Sequence, residues 1–147
     1  MIDDIDRRIL SILGHEARIT NAALGARIGL SPNATGARIQ RLVDRGVITG
    51  FGARIDMAAL GRPMEAIIDC WLGSPEDRAP IADVVADDDR IVEAIHITGN
   101  IDFRLRVFVS SSEELFDLLS RLREEADVRQ TDSHLVLQRL PTQSTTI

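Results

Sequence analysis

The spacing of apolar residues changes period once along the chain, near residue 56. That change limits the possible folds more than any other feature. Before it, Ile2, Ile5, Ile9 and Ile12/Leu13 form a stripe at helical spacing. After it, strict alternation appears. Ile101, Phe103, Leu105, Val107 and Val109 fall on one face, and Asp102, Arg104 and Arg106 on the other. A helix-period pattern does not settle as a half-buried strand, nor the reverse. The chain therefore reads as an α+β protein with a helical first module and a mixed second one.

Punctuation divides each module further. Asp3 and Asp4 are placed to cap the first helix and Gly14 to stop it. Thr20 can cap a second helix through Ala22, Leu24 and Ile28, closed by a Gly29-Leu30 turn. Ser31-Pro32 supplies a capping hydroxyl and then proline at the first helical position. This third helix runs to about Arg45, where Gly46 breaks it, and the glycine-punctuated segment 47–55 reads as strand-like. The second module reads as strand 66–72, helix 75–86 opened by Ser74-Pro75-Glu76, strand 91–98, a Gly99-Asn100 turn and strand 101–109. Helix 112–125, capped by Ser112, and strand 128–140 complete it. Pro80 competes with Pro75 for the start of the first of these helices. The order is βαββαβ, a ferredoxin-like split-βαβ sandwich. The expected domains are a helix-turn-helix over 1–50, a strand linker or hinge over 51–64, the βαββαβ domain over 65–141 and a flexible tail over 142–147.

Charge follows the same division. The chain carries a formal net charge of -6, which excludes a basic nucleic-acid coat protein. Yet residues 18–54 hold six arginines against Asp44 alone. Residues 57–147 hold nine arginines and 17 acids, a balance of -8. A compact basic module inside an acidic protein points to an interaction surface. All 17 basic residues are arginine, and only five aromatic residues (Phe and Trp) are present, too few for an RNA surface of stacked aromatics. With 44% hydrophobic residues the chain is not a disordered acidic tail. One cysteine, Cys70, allows neither an intrachain disulfide nor a multi-cysteine zinc site. The acidic start is unlike a signal peptide, and no run approaches a membrane span. The expectation is a soluble cytoplasmic protein with no membrane partner, no cofactor, no metal and no catalytic residues.

Two short helices joined by a glycine turn, the second rich in arginine, suggest a helix-turn-helix. On a helical wheel Thr35, Ile39 and Leu42 face the core, while Asn33, Ala37, Gln40 and Arg41 lie opposite and Arg38 and Arg45 flank them. Asn, Gln and Arg can bond base edges in the major groove, and flanking arginines can neutralise phosphates. The candidate DNA-binding set is Ser31, Asn33, Thr35, Ala37, Arg38, Gln40, Arg41 and Arg45. The competing reading is a solvated amphipathic helix with no ligand.

The run from Gly29 through Ile48 resembles the recognition segment of the Lrp/AsnC (feast/famine) transcriptional regulators. Asp4-Ile5-Asp6-Arg7-Arg8-Ile9-Leu10 resembles their first helix. Thr98-Gly99-x-x-Asp102 resembles their effector loop, and Val128, Thr131 and Val136-Leu137 their last strand. The resemblance spans essentially the whole chain. It implies an N-terminal winged helix-turn-helix followed by a βαββαβ ligand-binding domain. It also implies a homodimer joined through the sheets that assembles into tetramers or octamers, and an amino-acid effector held between subunits. Gly25 and Gly36 depart from the family pattern, each at a helix-propensity cost of about 0.5–1 kcal/mol. Asn100-Ile101 stands where an aromatic residue often precedes the aspartate.

The candidate effector set is Thr98, Gly99, Asn100, Ile101, Asp102, Thr131 and Ser133. Asp102 can pair with an α-ammonium group, with backbone N–H groups of the loop holding an α-carboxylate. Equally, Gly-Asn is a favourable hairpin turn and Asp102 can pair with Arg104, Arg106 or Arg129. His96 and His134, read as lying on neighbouring strands, could bind a metal or shuttle a proton; interface or core packing roles are the alternative. Two further functions compete with an effector-responsive regulator of transcription. One is an effector-independent architectural protein that wraps double-stranded DNA. The other is an enzyme resembling the sirohaem decarboxylases, for which those histidines are the candidates.

Overall fold

Capping chemistry sets the three helices at the N-terminus. The computed structural model describes residues 1–140, and the tail expected over 142–147 lies outside the described residues. α1 spans Asp4–His15 and is entered through a capping box between Asp3 and Asp6. Gly14 does not end it, and the helix closes one residue later. α2 spans Asn21–Ile28, with Thr20 accepting from the Ala23 N–H and Gly29 closing it in the left-handed region at φ 78°. α3 spans Pro32–Asp44, capped by Ser31 and ended by Arg45 and Gly46. Ile9, Leu24, Ile28 and Leu42 form the core of this unit, Met1–Arg54. Each such side chain contributes about 1.5–3 kcal/mol through burial.

Gly25 proves to be a packing requirement of the α2–α3 turn. It is buried, and its carbonyl accepts from both Gly29 and Leu30 N–H at 2.8 and 2.9 Å. A Cβ there would lie 2.5 Å from the Leu30 carbonyl oxygen. At Gly36 a Cβ would meet only the mobile end of Asn21, at 2.8 Å.

The strand expected over 47–55 does not form. The N–H groups of Val47 and Ile48 turn back to the Leu42 carbonyl and close the end of α3, which removes them from any ladder. The expected strand linker over 51–64 contains a turn at 57–61, closed by Leu60, Gly61 and Arg62 N–H bonds to Met57 and Ala58.

The second unit, Ile55–Arg139, is a four-stranded antiparallel sheet with two helices. Its elements are β1 Met64–Leu72, α4 Ala79–Asp87, β2 Ile91–His96, β3 Phe103–Val109, α5 Ser112–Glu125 and β4 Val128–Leu135. The strand order is β2-β3-β1-β4. α4 begins at Ala79, not Pro75: Ser74–Asp77 forms a turn, and Pro80 takes the first helical turn, where its missing N–H costs nothing. Ser111, not Ser112, caps α5. β4 ends at Leu135, five residues before the expected limit, although the Val136 N–H still reaches the Glu65 carbonyl. Ala66, Ile68, Cys70, Leu72, Leu105 and Val107 pack with Ile81, Val84, Leu118 and Leu122 into the core. Burial, with the nearby Asp69 carboxylate, pushes the Cys70 thiol up to about 12.

Candidate nucleic-acid interface and effector loop

α3 presents two chemically distinct sides. Thr35 and Leu42 are fully buried and Ile39 half-buried, whereas Asn33, Ala37, Gln40, Arg41 and Arg45 are exposed. Thr35 is thereby removed from the DNA-binding set: its hydroxyl donates to the Ser31 carbonyl at 3.0 Å inside the module. Ser31 is exposed at the helix N-terminus, where N–H groups and the helix dipole favour a phosphate. Gln40 donates to Asp44 at 2.8 Å and Arg45 to the Met1 carbonyl at 3.1 Å.

Arg38 departs from the expectation of an unattached flanking cation. It donates to Asp3 at 2.7 Å and to Asp6 at 2.8 Å, and its side chain is 24% exposed. Arg41 reaches the same Asp6 carboxylate at 3.3 and 3.4 Å and stays half-exposed. Periodicity could not show these bonds, because their partners lie more than 30 residues apart.

The β2–β3 pairing ends at His96 and Phe103, leaving 97–102 as the connecting loop. Gly99 has φ 124°, open to glycine and strained for other residues. Thr98, Gly99 and Asn100 are exposed, and Ile101 and Asp102 half-buried. Asp102 pairs with none of Arg104, Arg106 or Arg129. Its Oδ2 accepts from the Leu72 N–H at 2.8 Å, and its own N–H donates to the Cys70 carbonyl at 2.9 Å. Arg104 is taken by Asp69, in a two-pronged pair at 2.6 and 2.7 Å that holds the Asp69 carboxyl below its ordinary value. Arg106 is taken by Glu65 at 2.5 Å.

Thr131 sits opposite Cys70 on the other flank of β1, two strand spacings from the loop, or about 10 Å. Ser133 lies further along, opposite Ile68. The structure thus brings the loop and Thr131 to one end of β1 and leaves Ser133 beyond it. The Asp102 bond to Leu72 was hidden from sequence reading because it depends on which strand lies beside β3.

His96 and His134 are not neighbours. They occupy β2 and β4, the opposite edges of the sheet, about 14 Å apart across the strands and about 10 Å offset along them. His96 packs against Phe103 with ring centroids 5.0 Å apart, and His134 lies 3.4 Å from Asp132. Among the described residues no helix is long and apolar enough to cross a membrane.

Residues 2–49 match the winged helix-turn-helix DNA-binding family, and residues 66–145 match the Lrp/AsnC ligand binding domain. The HTH-type transcriptional regulator AldR of Mycobacterium tuberculosis is 36% identical over 143 residues, covering 95% of this chain and 79% of that protein. The regulatory protein AsnC of Escherichia coli is 30% identical over 141 residues, covering 94% and 91%. Among solved structures, a feast or famine regulatory protein of M. tuberculosis complexed with L-methionine superposes with a TM-score of 0.90. It is 31% identical, and the match covers 99% of this chain and 98% of that one. These relatives are named as regulators rather than enzymes. The helix-turn-helix and the βαββαβ unit, in this order and with these matches, show that the chain belongs to the Lrp/AsnC family of DNA-binding transcriptional regulators.

Proposed function

We propose that the protein reads a specific operator through α3 and that a small effector, an amino acid, alters its assembly or its DNA binding. The observation that carries the DNA half is the division of α3 itself. Thr35 and Leu42 anchor one side, while Asn33, Ala37, Gln40 and Arg41 stand exposed on the other. Asn33, Gln40 and Arg41 would read base edges, with Ala37 leaving room for close approach. Ser31 and Arg45 would meet phosphates. Arg41→Ala should cost about 1–3 kcal/mol of base discrimination, whereas Arg45→Ala should weaken all duplexes alike. Binding measured across single-base operator variants tests this; unchanged preference in Arg41→Ala rules out the assignment.

The effector half rests on the loop 98–102 with Thr131, and Ser133 contributes only from a second chain. A relative of this architecture is described with L-methionine, which supports an amino acid as ligand. The sheet face away from the helices supports a homodimer. It presents Ile67, Trp71, Ile95 and Phe108, and four of its charged side chains are already paired as Asp69–Arg104 and Glu65–Arg106. Two α3 helices in such a dimer would read half-sites related by two-fold symmetry, and dimers would build tetramers or octamers. Light scattering across a panel of amino acids, with and without DNA, is the test. No change in size or affinity with any of them would leave an effector-independent DNA-wrapping protein.

A further inference from the structure

The first turn of α1 and the middle of α3 are joined by charge. Asp6 is fully buried, and its Oδ2 accepts from the Asp3 N–H at 3.3 Å, while Asp3 Oδ1 accepts from the Asp6 N–H at 2.8 Å. That capping box leaves acceptor capacity on both carboxylates, and α3 uses it. Arg38 bridges them at 2.7 and 2.8 Å, and Arg41 touches Asp6 at 3.3 and 3.4 Å. The two arginines are therefore held differently. Arg38 has short charge-assisted bonds to two carboxylates, one of them buried, and would have to leave a buried charge behind to reach DNA. Arg41 has only long bonds and a half-exposed side chain, so it can trade Asp6 for a base edge. Burial alone would raise the Asp6 carboxyl, yet the Arg38 bond and the Asp3 N–H hold it below its ordinary value. Asp3 is lowered by the Asp6 N–H and by Arg38.

We propose that Asp6, assisted by Asp3, is a positioning residue for DNA reading: it fixes Arg38 as an internal strut and aims Arg41, so that Arg41 and Arg45 meet the DNA and Arg38 does not. This rests on the DNA-reading role of α3 given above. A carboxylate at contact distance already neutralises Arg38, so Arg38 displaces no counterion when DNA binds. It should be silent in the salt dependence, to which each true phosphate contact adds a slope of about 0.9. Loss of the Asp6 charge leaves Arg38 only the half-exposed Asp3, a pair that water screens and phosphate can displace, and leaves Arg41 without a preferred direction.

The test uses the full chain, fluorescence anisotropy, an operator duplex from the region upstream of its own gene, and a scrambled duplex, between 50 and 200 mM salt. Arg38→Met should keep the wild-type slope, while Arg45→Ala should lose about 0.9 for each α3 on the duplex. Asp6→Asn should gain about 0.9 for each α3, which is about 3.5-fold more affinity lost per α3 over that salt range, and should bind the scrambled duplex more tightly. Its operator preference should fall about tenfold or more, the scale of one misaligned base contact. Asp6→Glu keeps the charge and the capping box and should keep most of the preference. Urea midpoints establish folding for every variant. If Asp6→Asn does not fold, Asp3→Asn, at a half-exposed position, should shift the slope in the same direction by a smaller amount, because Asp6 still holds Arg38. An Asp6→Asn protein with wild-type slope and preference overturns the proposal. So does an Arg38→Met protein that loses as much slope as Arg45→Ala, or Asp6→Glu and Asp6→Asn losing preference equally. Failure of the wild-type protein to prefer its operator is a separate result, and it overturns the reading of α3 instead.

Discussion

Asp102 offers a way to separate a structural bond from a ligand bond at one carboxylate. The β1–β3 ladder stops at Cys70 and Phe103, so Leu72 has no backbone acceptor on β3, and Asp102 Oδ2 takes its N–H at 2.8 Å. Leu72 is 2% exposed, so water replaces that acceptor poorly. Asp102→Ala strands a buried N–H, at a cost of about 1–3 kcal/mol. In a unit of this size that lowers the melting temperature by roughly 4–8 °C per kcal/mol. Asp102→Asn retains an acceptor for Leu72 and should lose about 1 kcal/mol or less. The second oxygen carries the proposed ligand contact. If it pairs with an α-ammonium group, Asn forfeits a charge-assisted bond, and effector affinity falls roughly 10- to 100-fold. Urea unfolding followed by Trp71 fluorescence, one residue from the Leu72 N–H, reads the first quantity. Calorimetry with L-methionine and other L-amino acids reads the second. Two results refute the reasoning: equal stability losses for Ala and Asn, or an Asn variant with wild-type effector affinity.

Gly25→Ala and Gly36→Ala should move stability in opposite directions. The first forces a Cβ against the Leu30 carbonyl and should cost about 1–3 kcal/mol, whereas the second meets only the end of Asn21 and should gain up to about 1 kcal/mol, both read from thermal melts. A Cβ at Gly99 meets no atom within 4 Å, but Gly99→Val must adopt φ 124°, so a backbone cost of roughly 1–3 kcal/mol, with effector response lost and DNA affinity retained, is the expected outcome. Asp88 is 5% exposed and accepts from Arg90 and Arg121, so Asp88→Ala should lose about 3–5 kcal/mol in urea unfolding. Burial raises the Asp88 carboxyl, but the Arg90 bonds outweigh it and leave the carboxyl below its ordinary value. Its contribution is therefore complete above the unfolded value near 4 and disappears as pH falls through the lower folded value. An Asp88→Asn protein should show a flatter stability profile over that acidic window, in denaturation curves collected from pH 5 to 2.

What could be read in advance was local chemistry. Thr20, Ser31-Pro32 and Gly29 act within four residues of themselves, and their helices start and stop where those residues place them. The alternation expected from Ile101 holds from Phe103 to Val109, where one buried face specifies it, while Ile101 and Asp102 fall in the loop before the strand. What could not be read was partnership across the fold. Arg38 looked like a free cation because Asp3 and Asp6 are distant in sequence. The histidines looked adjacent because strand order does not follow chain order: β2 and β4 become the two edges. The segment 47–55 has the composition of a strand, but its first N–H groups are spent on the end of α3. Ser74-Pro75-Glu76 has the local form of a helix start, but Ser74 and Asp77 close a turn there and the helix begins at Ala79.

Cys70 gives the protein a built-in clock. It is the sole thiol, it is fully buried on the core side of β1, and its high protonation threshold leaves almost no thiolate at neutral pH. An oxidant or an alkylating reagent can reach it only when the sheet parts from α4 and α5. The rate of its modification therefore reports the open fraction of that layer, or its opening rate when the reagent outpaces reclosing. A bound effector that favours the closed state would slow the count in proportion to occupancy, with no label to attach and no residue to change.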